Sequence, residues 1–307
     1  MTIAFVFPGQ GSQSVGMLSS FADESVVRET FTEACDALGY DIWALCQQGP
    51  DSDLNVTWRT QPALLTASVA LYRLWLSRDG VEPTLLAGHS LGEYSALVCS
   101  GALTFTDAVK LVEARGKYMQ EAVPDGQGKM AAILGLDDAD IKAACEESAQ
   151  GEVVAPVNFN SPGQVVIAGN AAAVERAMDA CKQKGAKRAL PLNVSAPSHC
   201  LLMKPAAARL ATLLQQYTIN IPAIPVVNNV DVAIETDPDV IREALVRQLY
   251  CPVRWTESVQ LLAAKGITRL IECGPGAVLA GLAKRINKDL PAVSVQDKAA
   301  FDAAVAG

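Results

Sequence analysis

The spacing of apolar and polar residues divides the chain into short buried strands and longer amphipathic helices. The apolar run IAFVF at 3–7 predicts a buried strand that leads into a glycine-rich loop, PGQGSQ. The run LLAG at 85–88 predicts a second strand, followed by helices at about 91–100 and 104–120. Alternation of this kind is typical of a parallel sheet covered by helices on both faces.

The pattern changes between residues 125 and 194. Elements there follow the order βαββαβ, the ferredoxin-like arrangement, with strands at 129–134, 152–159, 164–169 and 187–192 and helices at 137–149 and 171–185. The α/β pattern then resumes, with strands near 225–228 and 268–272 and helices near 201–217, 239–249, 256–265 and 277–287. We therefore expect a large α/β subdomain (1–124 and 195–307) interrupted by a small ferredoxin-like one (125–194).

Composition narrows the class of protein. Half of the 307 residues are apolar, and the formal net charge of −8 argues against a general nucleic-acid binder. The amino terminus lacks a basic leader, and no apolar stretch approaches the ~18 residues of a membrane span. The eight scattered cysteines and two distant histidines do not match a zinc motif. We expect a cytoplasmic protein with reduced thiols, no metal and no membrane.

The stretch AGHSLGEYSALV contains a Gly-x-Ser-x-Gly core at Gly88, Ser90 and Gly92. This pattern is typical of a nucleophilic serine on a sharp turn between a strand and a helix. Serine needs a base, and His89 is poorly placed because neighbouring side chains on such a turn point apart. His199 is therefore the predicted base by elimination. The alternative, that it is an ordinary surface-loop histidine, would require a lysine or glutamate base.

Acyl transfer also needs donors for the oxyanion that forms on the attacked carbonyl. The Leu91 N–H follows the nucleophile at a helix amino terminus, where amides are unpaired. The Gln10 N–H is a second candidate, because Gly9 and Gly11 let the backbone approach closely. A phosphate cradle is a weak alternative for this loop because its glycine spacing does not match, and an ordinary turn stays open.

Arg115 completes the apolar stripe of its predicted helix, which includes Ala108, Leu111, Val112 and Met119. An inward guanidinium must meet an anion, either an acidic side chain of the protein or a ligand carboxylate or phosphate. Both alternatives stay open here. The planar guanidinium of Arg115 is suited to donate two hydrogen bonds to the carboxylate of a ligand bound beside the serine.

Two basic clusters stand out from the acidic background. The first is Lys182, Lys184, Lys187 and Arg188, and the second is Lys284, Arg285 and Lys288. Most such clusters are solvated surfaces. If they are functional, they are suited to the phosphates of coenzyme A or to an acidic carrier protein.

Eight segments, in order, resemble the malonyl-CoA:acyl carrier protein transacylases over essentially the whole chain. They are FVFPGQGSQ at 5–13, RTQPALL at 59–65, AGHSLGEYSAL at 87–97, EARGKYMQ at 113–120, NFNSPGQVVIAG at 158–169, APSHC at 196–200, QLYCPVRW at 248–255 and ECGPGAVLAGL at 272–282. The resemblance implies a hydrolase-like parallel-sheet core with an inserted ferredoxin-like subdomain.

The resemblance also implies roles for individual residues. Ser90 corresponds to the nucleophile and His199 to its base, oriented by the backbone carbonyl of Gln248. The remaining matches are Gln10 and Leu91 as oxyanion donors, Arg115 as the partner of the malonyl carboxylate, and Gln61 and Met119 as active-site lining.

The implied reaction is a ping-pong transfer of malonyl from malonyl-CoA to the phosphopantetheine thiol of holo acyl carrier protein, through a malonyl-serine, for fatty acid biosynthesis. The coenzyme A thioester is a substrate, and no tightly bound cofactor is expected. Two alternatives differ in class: a serine hydrolase such as a thioesterase, and a catalytically silent binding module that retains the fold.

Overall fold

The computed structural model describes residues 2–194 and 196–307, so the predicted subdomain boundary at Ser195 lies outside the described residues. The strands are β1 (Ile3–Phe7), β2 (Leu85–Gly88), β3 (Gly128–Leu134), β4 (Val154–Ser161), β5 (Gln164–Asn170), β6 (Arg188–Pro191), β7 (Val226–Val227), β8 (Arg269–Glu272) and β9 (Ala292–Ser294).

The helices are α1 (Ser25–Leu38), α2 (Ile42–Gln48), α3 (Asp51–Leu54), α4 (Thr57–Ser77), α5 (Gly92–Cys99), α6 (Phe105–Glu121), α7 (Asp138–Ala149), α8 (Ala171–Gln183), α9 (Lys204–Leu214), α10 (Pro238–Gln248), α11 (Trp255–Ala264), α12 (Val278–Ile286) and α13 (Lys298–Ala306). None of the described helices is both long and apolar enough to cross a membrane.

The larger sheet has the strand order β7-β2-β1-β8-β9, and each neighbouring pair is parallel. Side chains alternate across β1, so that Phe5 and Phe7 enter one core cluster while Ala4 and Val6 enter another on the opposite face. Every residue of β1 is buried. Burial on both faces explains why this strand is apolar throughout, as predicted for a covered parallel sheet.

The smaller sheet is antiparallel, with the order β4-β5-β3-β6. One face packs on α7 and α8 through residues that include Ile133, Ile167, Ile141 and Val174. The element order βαββαβ and this strand order together are ferredoxin-like, which confirms the predicted fold class. The boundaries of the subdomains stay a prediction.

The differences from the sequence predictions involve short elements and helix ends. The helix predicted near 201–217 spans only Lys204–Leu214, and neither α2, α3 nor the three-residue strand β9 was predicted. These pieces are too short to show a periodic pattern. Their formation depends on local caps, such as Asp41 accepting a hydrogen bond from the Ala44 N–H, and on pairing to β8 for β9.

Gly116 tests how closely α6 packs on α4. A Cβ at Gly116 would lie 2.5 Å from the Cα of Trp58, which is backbone and cannot rotate away. We expect Gly116→Ala to lower the free energy of unfolding by about 2 kcal/mol. Gly281→Ala is the matched control, since a Cβ on α12 meets nothing within 4 Å and alanine favours the helix. Urea unfolding measures both, and equal stabilities would contradict the close packing.

Candidate active site

Two loops leave neighbouring strands of the larger sheet at the same level. Phe7, the last residue of β1, is paired with Gly88, the last residue of β2. The loop that contains Gln10 and the turn that contains Ser90 therefore start side by side. They lie at the carboxyl ends of parallel strands, where open α/β sheets bind their ligands.

Steric contacts explain why both outer positions of the Gly-x-Ser-x-Gly core are glycine. A Cβ at Gly88 would lie 1.9 Å from the carbonyl carbon of Gly92, and a Cβ at Gly92 would lie 2.0 Å from the Phe7 carbonyl oxygen. Ser90 itself has a φ of 52°, in the left-handed region that costs a non-glycine residue about 1 kcal/mol or more. The sharp turn presents the serine hydroxyl to a cavity.

The cavity has a volume of about 390 Å³ and lies between the two sheets. The face of the smaller sheet that is turned away from α7 and α8 contributes Met130, Ala132 and Val166 to its wall. The predicted site residues that line the cavity are Gln10, Gln61, Ser90, Leu91, Arg115, Met119 and His199. The eighth predicted residue, Gln248, is fully buried behind them.

The serine hydroxyl and the predicted base are in direct contact. Ser90 Oγ lies 2.8 Å from Nε2 of His199, and Nδ1 of the same ring lies 2.6 Å from the Gln248 backbone oxygen. A carbonyl oxygen only accepts, so Nδ1 carries the proton and Nε2 is free to accept the serine proton. The structure thus contains the hydrogen bond to Gln248 that the family resemblance implied.

The imidazole of His199 is neutral at ordinary pH. Burial, and next the positive charge of Arg115, lower its pKa from 6.5 to about 3. A neutral ring can accept a proton without first losing one, as a general base must.

Arg115 is 1% exposed and points into the same cavity. Its Nη1 donates to Gln61 Oε1 at 2.8 Å, and its Nη2 donates to Gln248 Oε1 at 2.9 Å and to Ser90 Oγ at 3.4 Å. No acidic side chain among residues 2–194 and 196–307 lies within ion-pair distance of this guanidinium. The alternative of an internal salt bridge is therefore wrong.

The glutamines that hold Arg115 are themselves oriented by neighbours. Gln61 directs its amide Nε2 to the Met119 sulfur at 3.5 Å, which turns its oxygen toward the guanidinium. Both acceptors are neutral, so they fix the position of the fork without neutralising its charge. The guanidinium of Arg115 has more N–H groups than these three hydrogen bonds use, so it is able to donate to an anionic ligand as well.

The two predicted oxyanion donors lie on the cavity wall. Within the described part of the chain, neither the Gln10 N–H nor the Leu91 N–H donates to another backbone or side-chain group. The alternative of a phosphate cradle requires a helix directly after the Gln10 loop. Turns and the short 3-10 segment at Ser19–Phe21 follow instead, and α1 begins only at Ser25.

Comparison with known proteins identifies the family. The acyl transferase domain family matches residues 4–302. The malonyl CoA-acyl carrier protein transacylase of Escherichia coli K12 is 65% identical over 303 residues, which is 98% of each chain. The chain belongs to the malonyl-CoA:acyl carrier protein transacylase family. The relative from Bacillus subtilis is 45% identical over 99% of this chain and 96% of its own.

Solved structures agree with this family. A malonyl-transacylase in complex with a holo type II polyketide acyl-carrier protein has a TM-score of 0.99 and 60% identity, covering 100% of this chain and 99% of its own. An acyl carrier protein S-malonyltransferase from Vibrio cholerae has a TM-score of 0.97 and 62% identity over 99% of both chains. The predicted family and the class of enzyme, an acyltransferase, are confirmed.

Two buried residues at this transacylase-family site were missed by the sequence reasoning. Glu93 is 2% exposed, and its Oε2 accepts from Gln248 Nε2 at 2.8 Å and from the Asn229 N–H at 3.0 Å. Asn229 follows β7 and contacts the serine turn. Two signals were available in the sequence. Glu93 is the one charged residue in GEYSALVC, and polar residues come directly after the apolar residues of the strand predicted near 225–228.

His89 is half-buried, and its ring nitrogen bonds to a residue other than Ser90. Its Nε2 lies 2.8 Å from Asn160 Oδ1 on β4, and its ring packs edge-on against Trp255. The bond to Asn160 joins the serine turn to the smaller sheet, which agrees with the supporting role predicted for this residue.

The two basic clusters differ in their surroundings. Lys182 and Lys184 pair with Asp179 and Glu147 on their own subdomain, so the first cluster is partly neutralised. Arg285 of the second cluster donates to Gln164 Oε1. Lys284 and Arg285 lie on α12, whose first residues line the cavity, and Lys288 follows that helix. A role for either cluster in binding phosphates or a carrier protein stays a prediction.

Titration of the imidazoles tests the electrostatics of the site. Burial lowers the pKa values of both His89 and His199. Because the chain has only these two histidines, we expect nitrogen-15 NMR to show the His199 ring neutral from pH 8 to pH 5 and the His89 ring titrating below pH 6.5. His199→Gln assigns the resonances. A resonance that is lost in this variant and titrates near pH 6.5 in the unaltered protein would contradict the assigned environment.

Proposed function

We propose that this protein transfers a malonyl group from malonyl-CoA to the phosphopantetheine thiol of holo acyl carrier protein, in fatty acid biosynthesis. The observation that carries the proposal is a buried arginine with no acidic partner among the described residues, 3.4 Å from a serine hydroxyl that contacts a neutral histidine. Relatives that are 65% and 45% identical are named as transacylases between malonyl-CoA and acyl carrier protein.

The first half-reaction acylates the serine. His199 Nε2 takes the Ser90 proton while Oγ forms a bond to the thioester carbonyl carbon. The oxygen of the resulting tetrahedral intermediate accepts from the Leu91 and Gln10 N–H groups. The carbon–sulfur bond then breaks, His199 returns its proton to the departing sulfur, and free coenzyme A leaves a malonyl-serine ester.

The second half-reaction runs in the same geometry with a different thiol. His199 removes the proton of the phosphopantetheine thiol, whose sulfur attacks the ester carbonyl. The carbon–oxygen bond to Ser90 breaks, and His199 returns the proton to Oγ. The likeness to a malonyl-transacylase solved with a holo carrier protein supports a carrier-protein thiol as this second substrate.

Arg115 provides the preference for a carboxylated acyl group. A malonyl carboxylate pairs with its fork, whereas an acetyl group leaves a buried guanidinium without an anion. The pairing also offsets the positive charge that lowers the pKa of His199, and so favours protonation of the ring in the transition state. The cytoplasmic location, the absence of a tightly bound cofactor and the contribution of Gln61 and Met119 to substrate binding stay predictions.

A covalent adduct distinguishes this function from a silent binding module. We expect brief exposure to malonyl-CoA to add one malonyl group to the intact protein, detected by mass spectrometry. The adduct should be absent from Ser90→Ala. It should also pass to holo carrier protein faster than to water, whereas label that reaches only water would make the protein a hydrolase.

The acyl preference tests the role of Arg115. We expect Arg115→Ala to lower kcat/KM for malonyl transfer by about a hundredfold or more while acetyl transfer changes far less, because only malonyl loses an ionic partner. Arg209→Ala is the control, since Arg209 pairs with Glu121 on the surface and does not line the cavity. Equal losses for both acyl groups would contradict this role.

A further inference from the structure

Asn229 touches both sides of the strained serine turn. Its Oδ1 accepts from the Ser90 N–H at 2.7 Å, and its Nδ2 donates to the Gly88 carbonyl at 2.6 Å. The residue is fully buried, so neither contact can be replaced by bulk water. The side-chain amide of Asn229 thus provides hydrogen-bond partners for the Gly88 carbonyl, which precedes His89, and for the Ser90 N–H, which follows it.

The position of Asn229 follows from the sheet. Strand β7 pairs in parallel with β2, with Val227 opposite Ala87. The chain that leaves β7 therefore emerges beside the serine turn, and Asn229 is the second residue after the strand. Its own N–H donates to Glu93 Oε2 at 3.0 Å, and its carbonyl accepts from the Arg254 N–H at 3.2 Å. These bonds hold the backbone of Asn229 on both sides.

The contact decides which amides can stabilise the oxyanion. Because the Ser90 N–H is already bonded to Asn229, it is turned away from an acyl group on its own Oγ. The Leu91 N–H, which has no partner among the described residues, is left as the donor that follows the nucleophile. Without the Asn229 side chain, the Ser90 N–H and the Gly88 carbonyl would lose their hydrogen-bond partners. Rotation of the turn toward new partners would then lower its free energy.

We propose that Asn229 is a positioning residue for acyl transfer: its side-chain amide holds Ser90 in the left-handed turn that aligns the hydroxyl with His199 and frees the Leu91 N–H for the oxyanion. This inference rests on the proposed function. It concerns the rate of acylation of Ser90 by any acyl donor, and not the preference for malonyl that Arg115 confers.

The first test compares two adjacent asparagines. We expect Asn229→Ala to lower the single-turnover rate of Ser90 acylation at least tenfold with malonyl-CoA and acetyl-CoA alike, with little change in KM for malonyl-CoA. Asn228→Ala is the matched control, because Asn228 accepts from the Asp231 N–H and does not contact the serine turn. Its rate should match the unaltered protein.

The second variant keeps the test informative if Asn229→Ala does not fold. An ionised carboxylate in Asn229→Asp accepts from the Ser90 N–H but cannot donate to the Gly88 carbonyl, whereas a protonated carboxyl does both. The charged and titratable groups around it include Glu93 and Arg254, which contact its backbone, Arg115 and His199, which contact Ser90 Oγ, and the pair Asp231–Arg247. The acylation rate of Asn229→Asp, relative to the unaltered protein at each pH, should therefore rise as pH falls from 8 to 6.

The possible results distinguish a failure of the proposed role of Asn229 from a failure of the proposed function. If the unaltered protein forms no malonyl adduct on Ser90, the proposed function fails. If it forms the adduct but Asn229→Ala acylates at the same rate, or the relative rate of Asn229→Asp does not change with pH, the positioning role of Asn229 is wrong. A loss confined to malonyl would also overturn it, since that pattern belongs to the Arg115 contact.

Discussion

The hydrogen bonds of Gln248 hold the reactive groups of the site in one arrangement. Its backbone oxygen accepts from His199, its Oε1 accepts from Arg115, and its Nε2 donates to the Ser90 carbonyl and to Glu93. An amide has a donor end and an acceptor end, so each neighbour fixes the direction of the others. The orientation of the imidazole and the position of the guanidinium therefore depend on a residue that does not face the cavity.

Burial gives the same groups unusual electrostatics. Arg115 carries a charge that no carboxylate of the described residues pairs directly, and its field, together with desolvation, keeps His199 neutral. The nearest acid, Glu93, is reached through the Gln248 amide, and burial raises its pKa to about 7. Such an arrangement is costly for an empty site. It is suited to a ligand that brings its own negative charge.

Much of the fold and part of the site could be predicted from short-range patterns. Apolar runs marked β1 and β2, the order βαββαβ marked the smaller sheet, and the histidine count pointed to His199. The helical stripe placed Arg115 inward, but periodicity says only which face a residue occupies. It does not say what lies opposite, so an internal salt bridge and a ligand-binding arginine were equally consistent with it.

The sequence by itself determined the order of elements, the glycine-flanked serine turn and the inward face of Arg115, because these follow from neighbours a few residues apart. Only the tertiary structure decided the contacts of Asn229 with Ser90, 139 residues away, and of Glu93 with Gln248, 155 residues away. Those contacts exist because β7 pairs beside β2 and because α10 ends against the serine turn. Strand pairing and helix packing of this range leave no periodic signal in the chain, so the groups that hold the site together appear only once it is folded.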